Sequence, residues 1–409
     1  MTVQTHSFST TYWLRILTLS AFLVTGCARP KAVSPEDSFR ETHVTSEEIS
    51  DDLDLSGLNE AITQQRRVLR NKPETMMRFG TVEISRGAYS EALDKLSSVL
   101  QDSRPTSDKL RYISENFRFF EIYGGTDWGE ILLTSYFEPI IPGSLKKSAR
   151  FSQPLYAKPH DLVTIDLQKF SPRFKDESTL RARVHEGRVV PYYSRHEIDS
   201  KGALEGKGLE LCWVEPIDAF FLQIQGSGTV TLQNGQELFI TYAEKNGHKY
   251  EPIGKFLKER LAPLPVTMQR IEALAKTMSS RERAELFEKN PSYVFFIKSK
   301  QRALTSLGIP ATPGRTIAAD PKFAPKGALA LVTFSKPIFT ESATNETVES
   351  KGPRVSRFVL DQDSGGAITG TDHIDLFWGR GDEAKKVAGV LQDKARILYL
   401  APRAVESNS

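Results

Sequence analysis

The sequence has only two cysteines among its 409 residues, Cys27 and Cys212. Cys27 falls in an N-terminal motif described below, so Cys212 has no partner left for a disulfide, and we expect it to be a small buried hydrophobic residue. An excess of charge is also lacking: the net charge is +3, with the two signs interspersed. This pattern gives no indication of nucleic-acid binding.

Histidines at metal-binding spacing are lacking as well. The chain contains seven histidines, but His185, His196 and His248 lie far apart, and neither HxxxH nor HExxH occurs. We therefore predict no metal site and disfavour a zinc amidase. With 39% hydrophobic residues the chain can form one large core or two moderate ones, which excludes a disordered or fibrous class.

The N-terminal apolar run, residues 16–24, is too short to cross a bilayer by itself. It ends in Val24-Thr25-Gly26-Cys27, and small residues before a cysteine at the end of such a run resemble a bacterial lipobox. We therefore predict that residues 1–27 form a lipoprotein signal peptide and that Cys27 becomes the acylated first residue of the mature protein. The alternative is an ordinary signal peptide or anchor in which this cysteine is incidental.

The residues after Cys27 bear on location and reach. Ala28 and Arg29 include no aspartate of the type associated with inner-membrane retention, so the lipobox resemblance implies an outer-membrane lipoprotein that faces the periplasm. Residues 28–54 are rich in Pro, Ser, Asp and Glu and poor in large apolar side chains, which is typical of a flexible spacer.

Hydrophobic periodicity predicts helices on both sides of a strand-rich region. Helices are predicted over residues 58–69, 93–100, 268–278 and 382–391. A strand is predicted at 131–139, and short strands from 159 to 239 are typical of a small barrel or sandwich. Asn234-Gly235 indicates a hairpin within that region. Residues 341–353 are predicted to be a polar, mobile excursion.

Two aspartates near the C-terminus have neighbours that suggest chemistry. Asp363 is predicted to end a short apolar strand, and Asp375 to begin a second one, with a glycine-rich turn between them. Two carboxylates delivered to one crevice by such a hairpin-like unit can have pKa values pushed apart, which is how a carboxylic acid stays protonated near pH 7. The alternative is a solvated, Asp-rich loop.

The residues around these aspartates resemble the three-aspartate signature of the 3D domain found in the membrane-bound lytic murein transglycosylase A family. Residues 363–370, Asp-Ser-Gly-Gly-Ala-Ile-Thr-Gly, match the family's D-[ST]-G-G-A-I-[KRT]-G run, and 375–379, Asp-Leu-Phe-Trp-Gly, match its sequel. The segment 312–321, Thr-Pro-Gly-Arg-Thr-Ile-Ala-Ala-Asp-Pro, supplies the third aspartate, Asp320.

Further segments resemble the same family in chain order. They lie at residues 131–139, 151–156, 190–195, 220–229, 246–248 and 290–296. One position departs from the family pattern, because Ser135 stands where the family has glycine. A side chain there would crowd a sugar bound close to the backbone.

The resemblance implies a mainly β fold with N-terminal and peripheral helices. It implies a double-psi β-barrel made of residues 55–158 and 240–404, with the three aspartates inside 312–381. A second, inserted β-barrel-like domain would comprise 159–239, a substrate groove would lie between the two domains, and 405–409 would be a tail.

The implied activity is that of a lytic transglycosylase, which cleaves the β-1,4 bond between N-acetylmuramic acid and N-acetylglucosamine in peptidoglycan. The muramoyl 6-hydroxyl attacks its own anomeric carbon and leaves a 1,6-anhydro product. Because the substrate supplies the nucleophile, the second catalytic carboxylate of a glycosidase is not required. We expect Asp375 to act as general acid and then as general base, and Asp363 and Asp320 to shape the site.

The same matches suggest which residues bind the glycan. Side chains of Gln225 and Ser227 offer hydrogen-bond donors and acceptors, and glycines expose the backbone to sugar hydroxyl and acetamido groups. The expected substrate-binding residues are Thr134, Ser135, Tyr136, Gln225, Gly226, Ser227 and Gly228. His373, the only histidine near the aspartates, is expected to be an exposed turn residue. The alternative is that His373 tunes Asp375 electrostatically.

The expected partners are peptidoglycan glycan strands and, through Cys27, the membrane. The resemblance implies no cofactor, and the sequence indicates no protein partner. Asp361 and Asp372 are set aside only because they fall outside the matching positions. Two other functions stay open: a peptidoglycan hydrolase that uses water on the same scaffold, and a non-catalytic cell-wall-binding lipoprotein.

Overall fold

The computed structural model describes residues 34–71, 74–174, 179–341 and 347–403. The predicted signal peptide with Cys27 and the predicted tail at 405–409 lie outside the described residues. Within these described ranges no helix is long and apolar enough to cross a membrane. The described part is mainly β, as the sequence predicts, and helices flank its sheets.

The helices lie near the start of the described chain, in its middle and near its end. They are α1 Leu58–Arg70, α2 Arg86–Gln101, α3 Thr106–Asn116, α4 Arg195–Asp199, α5 Pro216–Gln225, α6 Lys258–Leu261, α7 Met268–Thr277, α8 Ser280–Phe287 and α9 Gly381–Ala388. The helices predicted from periodicity correspond to α1, α2, α7 and α9, and those predictions are confirmed.

The strands are spread over the whole described chain. They are β1 Phe39–Thr42, β2 Met76–Phe79, β3 Val82–Ser85, β4 Phe117–Ile122, β5 Glu130–Glu138, β6 Ile140–Ser144, β7 Gln153–Tyr156, β8 Val163–Ile165, β9 Leu180–His185, β10 Arg188–Pro191, β11 Glu210–Val214, β12 Ser227–Leu232, β13 Glu237–Lys245, β14 Val294–Ser299, β15 Thr316–Ala318, β16 Leu329–Glu341, β17 Thr347–Asp363, β18 His373–Arg380 and β19 Gln392–Pro402. The predicted hairpin is confirmed, since β12 and β13 pair antiparallel across Asn234-Gly235.

Eight strands form the larger sheet, in the order β1-β4-β19-β16-β17-β15-β18-β5, and β19 also pairs with β5. Residues of its central strands are buried in one hydrophobic core that also includes residues of helices α1 and α2. Leu329 and Leu360, directly opposite each other on β16 and β17, are both fully buried. The strands that carry Asp363 and Asp375, and the strand that precedes Asp320, belong to this sheet.

Six strands form the second sheet, in the order β14-β13-β12-β6-β11-β7. Its strands come from 140–156 and 294–299 as well as from 210–245, so they extend beyond the range 159–239 expected for the inserted domain. The core beneath it includes Cys212, which is free and 1% exposed, as predicted. Smaller sheets are formed by β10-β9-β8 and by β2-β3.

The expectation of a flexible spacer up to residue 54 does not hold for its second half. Strand β1 pairs antiparallel with β4. The Asp51 carboxylate accepts hydrogen bonds from Arg315 Nη1 and Nη2 at 2.6 and 2.8 Å, and both side chains are fully buried. Asp52 in turn accepts two bonds from Arg357. Polar composition misleads here because the acidic residues are partners of buried arginines.

Two other segments differ from the sequence predictions. Residues 347–353, expected to be an excursion, belong to β17 and pair with β16, because backbone hydrogen bonds can extend a two-stranded ladder without apolar side chains. Residues 216–225 form helix α5 within the region expected to consist of strands. Pro216 at its first turn and Gly226 in the left-handed conformation after its last residue are the signals that mark it.

Candidate active site

Three neighbouring strands bring the predicted aspartates together. Strand β15 pairs parallel with β17 and antiparallel with β18, and Ala318 lies opposite both Asp363 and Asp375. Two strand spacings, roughly 10 Å, therefore separate the Cα atoms of these two aspartates. Asp320 follows Ala318 by two residues. The prediction of a hairpin-like unit is wrong, since β15 lies between β17 and β18.

Asp375 lies on β18, and among the described residues one side chain, Thr134, is hydrogen-bonded to its carboxyl group. Thr134 Oγ1 on the adjacent strand β5 is 2.9 Å from Asp375 Oδ1. Burial raises the pKa of Asp375 to about 7; the Thr134 hydrogen bond opposes this shift, and the charge of Asp363 adds to it. The Asp375 residue is half-buried. Asp375 can therefore carry a proton near neutral pH.

Asp363 has the hydrogen-bond donors that suit an ionised carboxylate. Its Oδ1 accepts from the backbone N–H groups of Ser306 and Ser364, both at 2.8 Å, and its Oδ2 accepts from the Tyr136 hydroxyl at 2.8 Å. Burial raises the pKa of Asp363, and these hydrogen bonds oppose the shift. Asp363 accepts three hydrogen bonds and Asp375 accepts one. Hydrogen-bond donors favour the ionised form of a carboxyl group, so this difference suits Asp363 to carry the charge and Asp375 to carry the proton.

Asp320 holds the glycine-rich turn between β17 and β18. Its Oδ2 accepts a hydrogen bond from Gly370 N at 2.7 Å, and its Oδ1 accepts one from Lys322 N at 2.9 Å. The three aspartates therefore have different surroundings, and Asp320 fixes the backbone of this turn.

The two rival aspartates have structural surroundings. Asp361 is fully buried, pairs with Lys326, and accepts a hydrogen bond from the Tyr399 hydroxyl at 3.3 Å. Asp372 is exposed, and its backbone oxygen accepts from Leu132 N. Neither carboxylate has the single-donor, half-buried setting of Asp375.

Strand β5 presents some of its predicted residues to the site and turns one away. Thr134 and Tyr136 lie on its partly exposed face, and the Tyr136 ring centroid is 5.2 Å from that of Phe377 on β18. Ser135 points to the opposite face, is 9% exposed, and its hydroxyl has no hydrogen-bond partner among the described residues. The expectation that the Ser135 side chain contacts or crowds substrate does not fit this placement.

The predicted residues at the end of α5 have mixed roles. Gln225 Oε1 accepts a hydrogen bond from Phe137 N at 3.0 Å, so the second sheet's helix reaches strand β5 beside Tyr136. Gly226 and Ser227 are half-buried there. Gly228 is buried, and a Cβ on it would lie 2.5 Å from Leu222 Cδ1. Gly228 therefore permits helix packing and does not expose backbone to a ligand.

Two residues near the site have features that the sequence analysis missed. His373 is a half-buried residue of β18 rather than an exposed turn residue, and its Nε2 lies 2.9 Å from Thr134 Oγ1. Alternation along a strand could have shown that His373 and Asp375 share a face. Lys245, at the end of β13, reaches the glycine-rich turn between β17 and β18. A Cβ on Gly366 of that turn would lie 3.7 Å from Lys245 Nζ.

Among the described residues, no group of three or more His, Cys, Asp or Glu side chains is arranged to hold a metal ion. The chemistry available is a proton carried by Asp375, beside a second carboxylate and a threonine hydroxyl.

Two family models match the chain. The MltA specific insert domain matches residues 132–297, and the 3D domain matches residues 315–401. The second range contains all three aspartates. The first range contains every strand of the second sheet except the last two residues of β14.

Named relatives cover most of the chain. The membrane-bound lytic murein transglycosylase A of Vibrio cholerae is 30% identical over 286 residues, which is 68% of this chain and 68% of the relative. The protein of the same name from Escherichia coli K12 is 30% identical over 287 residues, 69% of this chain and 68% of the relative.

Solved structures share the fold. A membrane-bound lytic murein transglycosylase from Agrobacterium tumefaciens is 26% identical, has a TM-score of 0.71, and is matched over 90% of this chain and 98% of its own. The E. coli MltA structure with bound chitohexaose is 22% identical, has a TM-score of 0.66, and is matched over 92% and 99%. The chain therefore belongs to the membrane-bound lytic murein transglycosylase A family and carries its 3D domain.

Proposed function

We propose that this protein is a peptidoglycan lytic transglycosylase in which Asp375 is the one catalytic carboxyl group. Its substrate is the β-1,4 bond between N-acetylmuramic acid and N-acetylglucosamine, and its product carries a 1,6-anhydro ring. Family membership supports the reaction class. The observation that carries the catalytic assignment is the setting of Asp375. Burial raises the pKa of Asp375 to about 7, and the neighbouring Asp363 carboxylate accepts three hydrogen bonds.

The reaction needs one proton carrier because the glycan supplies its own nucleophile. Asp375 donates its proton to the glycosidic oxygen as the bond from that oxygen to the muramoyl anomeric carbon breaks. The muramoyl 6-hydroxyl oxygen then bonds to the same carbon, and its proton passes to the Asp375 carboxylate, which restores the acid. Intramolecular attack supplies the proximity that a bound water and a second carboxylate provide in a glycosidase.

The other two aspartates support this cycle without exchanging protons. The negative charge of Asp363 favours the protonated form of Asp375 and stabilises positive charge that develops at the anomeric carbon. Asp320 holds the turn before β18 through Gly370 N–H. Thr134, Tyr136, Gln225, Gly226 and Ser227 are proposed to contact the glycan.

The architecture proposed for this reaction is a double-psi β-barrel, with the glycan held in a groove between the larger sheet and the second sheet. Pairing of β5 with both β18 and β19 supports closure of the larger sheet. The hydrogen bond from Phe137 N to Gln225 and the approach of Lys245 to Gly366 support a groove between the sheets. The strands of the second sheet favour domain boundaries near residues 139 and 300.

Membrane attachment is proposed to come from acylation of Cys27. An acyl chain buries methylene groups in the bilayer and leaves the rest of the protein free to reach glycan strands. The outer membrane, on its periplasmic side, is the proposed location. The relatives' names, which describe membrane-bound proteins, support attachment to a membrane.

Digestion of purified sacculi tests the catalytic proposal. A soluble form that lacks residues 1–33 is expected to release 1,6-anhydromuramoyl products, and Asp375→Asn is expected to reduce the rate by about 10² to 10⁴-fold. Asp382→Asn is the control, since that exposed residue at the start of α9 has no proposed role. Products with free reducing ends would favour the hydrolase, and binding of sacculi without any digestion would favour a wall-binding protein. Full activity of Asp375→Asn would contradict the assignment.

A further inference from the structure

The Thr134 hydroxyl lies between two groups that compete for its single hydrogen. Its Oγ1 is 2.9 Å from Asp375 Oδ1 and 2.9 Å from His373 Nε2. His373 and Asp375 occupy alternate positions on β18, opposite Leu132 and Thr134 of β5, so backbone pairing fixes all three groups. A threonine hydroxyl donates one hydrogen bond at a time and accepts others. Thr134 can therefore donate to Asp375 or to His373, but not to both.

We propose that His373 is a positioning residue that controls the proton on Asp375 through the direction of this hydrogen-bond chain. The inference rests on the proposed acid role of Asp375. When Asp375 is protonated, its O–H donates to Thr134 Oγ1, and the Thr134 O–H donates to the bare Nε2 of His373. All three groups are then paired. A His373 that accepts in this way keeps the Thr134 hydrogen away from Asp375 and disfavours the carboxylate.

The chain reverses after Asp375 has given its proton to the glycosidic oxygen. The Thr134 O–H turns to donate to the Asp375 carboxylate, and His373 Nε2–H donates to Thr134 Oγ1. His373 gains no net proton in this change, because its Nδ1 releases one proton to water and its Nε2 takes one proton from water. The chain needs both tautomers of the neutral imidazole. Burial lowers the pKa of His373 and so favours the neutral ring, although the charge of Asp372 opposes this shift.

Few other charged groups surround this chain of atoms. The charge of Asp363, at the end of β17, acts on Asp375, and Tyr136 on β5 donates a hydrogen bond to Asp363. Asp372 precedes His373. On the far side of β5, Lys394 of β19 lies opposite Leu132 and is paired with Glu130. None of these groups is hydrogen-bonded to Thr134 or to His373 among the described contacts, so Thr134 is the direct link between His373 and Asp375.

A double-mutant pH profile tests the link. In His373→Leu the Thr134 hydroxyl is free to donate to Asp375, so the alkaline limb of kcat/KM is expected to move down by about one pH unit, with about tenfold less activity above pH 8. In a Thr134→Val background, His373→Leu is expected to cause no further movement. His185→Leu, at an exposed histidine of β9, is the matched control. An unmoved limb in His373→Leu, or an equal movement in both backgrounds, would overturn the inference.

Nitrogen-15 shifts of the His373 ring provide a second measurement that does not depend on activity. We expect hydrogen on Nδ1 at pH 5.5 and hydrogen on Nε2 once Asp375 has ionised, with no such change in Asp375→Asn. A ring that keeps one tautomer across this range would contradict the proposal. If Asp375→Asn stays active on sacculi, the proposed function fails; if it is inactive and the His373→Leu profile is unmoved, only this inference fails.

Discussion

The Tyr136 hydroxyl donates a hydrogen bond to Asp363 Oδ2 at 2.8 Å and so links strand β5 to the end of β17. The same strand carries Thr134, which contacts Asp375. Two residues of one strand, on one face, therefore address the two carboxyl groups separately. Strand β5 therefore contacts both carboxyl groups, Asp375 through Thr134 and Asp363 through Tyr136.

Tyr136→Phe tests the hydrogen bond to Asp363 directly. Loss of one of three donors weakens the ionised form of Asp363, and a hydrogen bond to a charged group contributes about 1.5–3 kcal/mol. We expect kcat/KM on sacculi to fall by roughly tenfold, while the ring still packs on Phe377. Tyr242→Phe, at an exposed tyrosine of β13, is the control. Equal rates for Tyr136→Phe and the wild type would show that this donor is unimportant.

The pH dependence of activity is expected to follow Asp375. Because the proposed acid must be protonated and burial raises its pKa to about 7, kcat/KM should fall as pH rises through about 7. The charge of Asp363 contributes to that raised pKa, so Asp363→Asn should move the alkaline limb to lower pH. Initial rates between pH 5 and 9 measure the alkaline limb of the wild type and of Asp363→Asn. A limb that moves upward in Asp363→Asn would contradict the electrostatic argument.

The Asp51–Arg315 pair is expected to contribute strongly to stability. Asp51→Asn would leave a fully buried guanidinium without its counter-charge, which costs about 3–5 kcal/mol in the free energy of unfolding. Asp102→Asn, in the exposed pair with Arg104, should cost less than about 1 kcal/mol. Urea unfolding at pH 7 measures both. Similar midpoints for the two variants would show that residue 51 is not part of the core.

The same pair predicts a loss of stability in acid. Burial alone would raise the pKa of Asp51, but the hydrogen bonds and charge of Arg315 outweigh burial and lower it. The contribution is therefore complete above the unfolded pKa of about 4 and is lost as pH falls from there through the lowered folded value. Unfolding curves between pH 2 and 6 should converge for the wild type and Asp51→Asn at the acidic end.

Gly228→Ala separates a packing role from a substrate-binding role. The added Cβ would lie 2.5 Å from Leu222 Cδ1 and 3.0 Å from the Pro139 oxygen, so overpacking should cost about 1–3 kcal/mol of stability. Thermal unfolding measures this cost. Below the melting temperature, KM for glycan should stay close to the wild-type value. A large change in KM with unaltered stability would return Gly228 to the substrate-binding set.

The sequence motifs predict the grouping of the aspartates better than they predict how the chain delivers them. Asp320, Asp363 and Asp375 do lie on adjacent strands or directly after one. Strand β15 has only three residues, Thr316–Ala318, too few for an alternating pattern to be visible, so its position between β17 and β18 could not be read from the sequence.

Long-range pairing and uniform apolarity explain the other differences. The acidic residues 51 and 52 read as solvated spacer because their arginine partners are 264 and 305 residues away. Helix α5 is apolar on several sides, so its hydrophobic periodicity does not distinguish a helix from a strand. Pro216 and Gly226 nevertheless mark its ends. Ser135 was expected near substrate because a motif fixes neighbours along the chain but not the face to which each side chain points.

The pairing of β19 with both β4 and β5 has a consequence for the order in which the protein matures. The last described strand, Gln392–Pro402, completes the sheet that carries residues from the first third of the chain. A nascent polypeptide halted before that strand would contain Asp320, Asp363 and Asp375 and still lack the scaffold that aligns them. The alignment of these aspartates should therefore be complete only once β19 has joined β4 and β5.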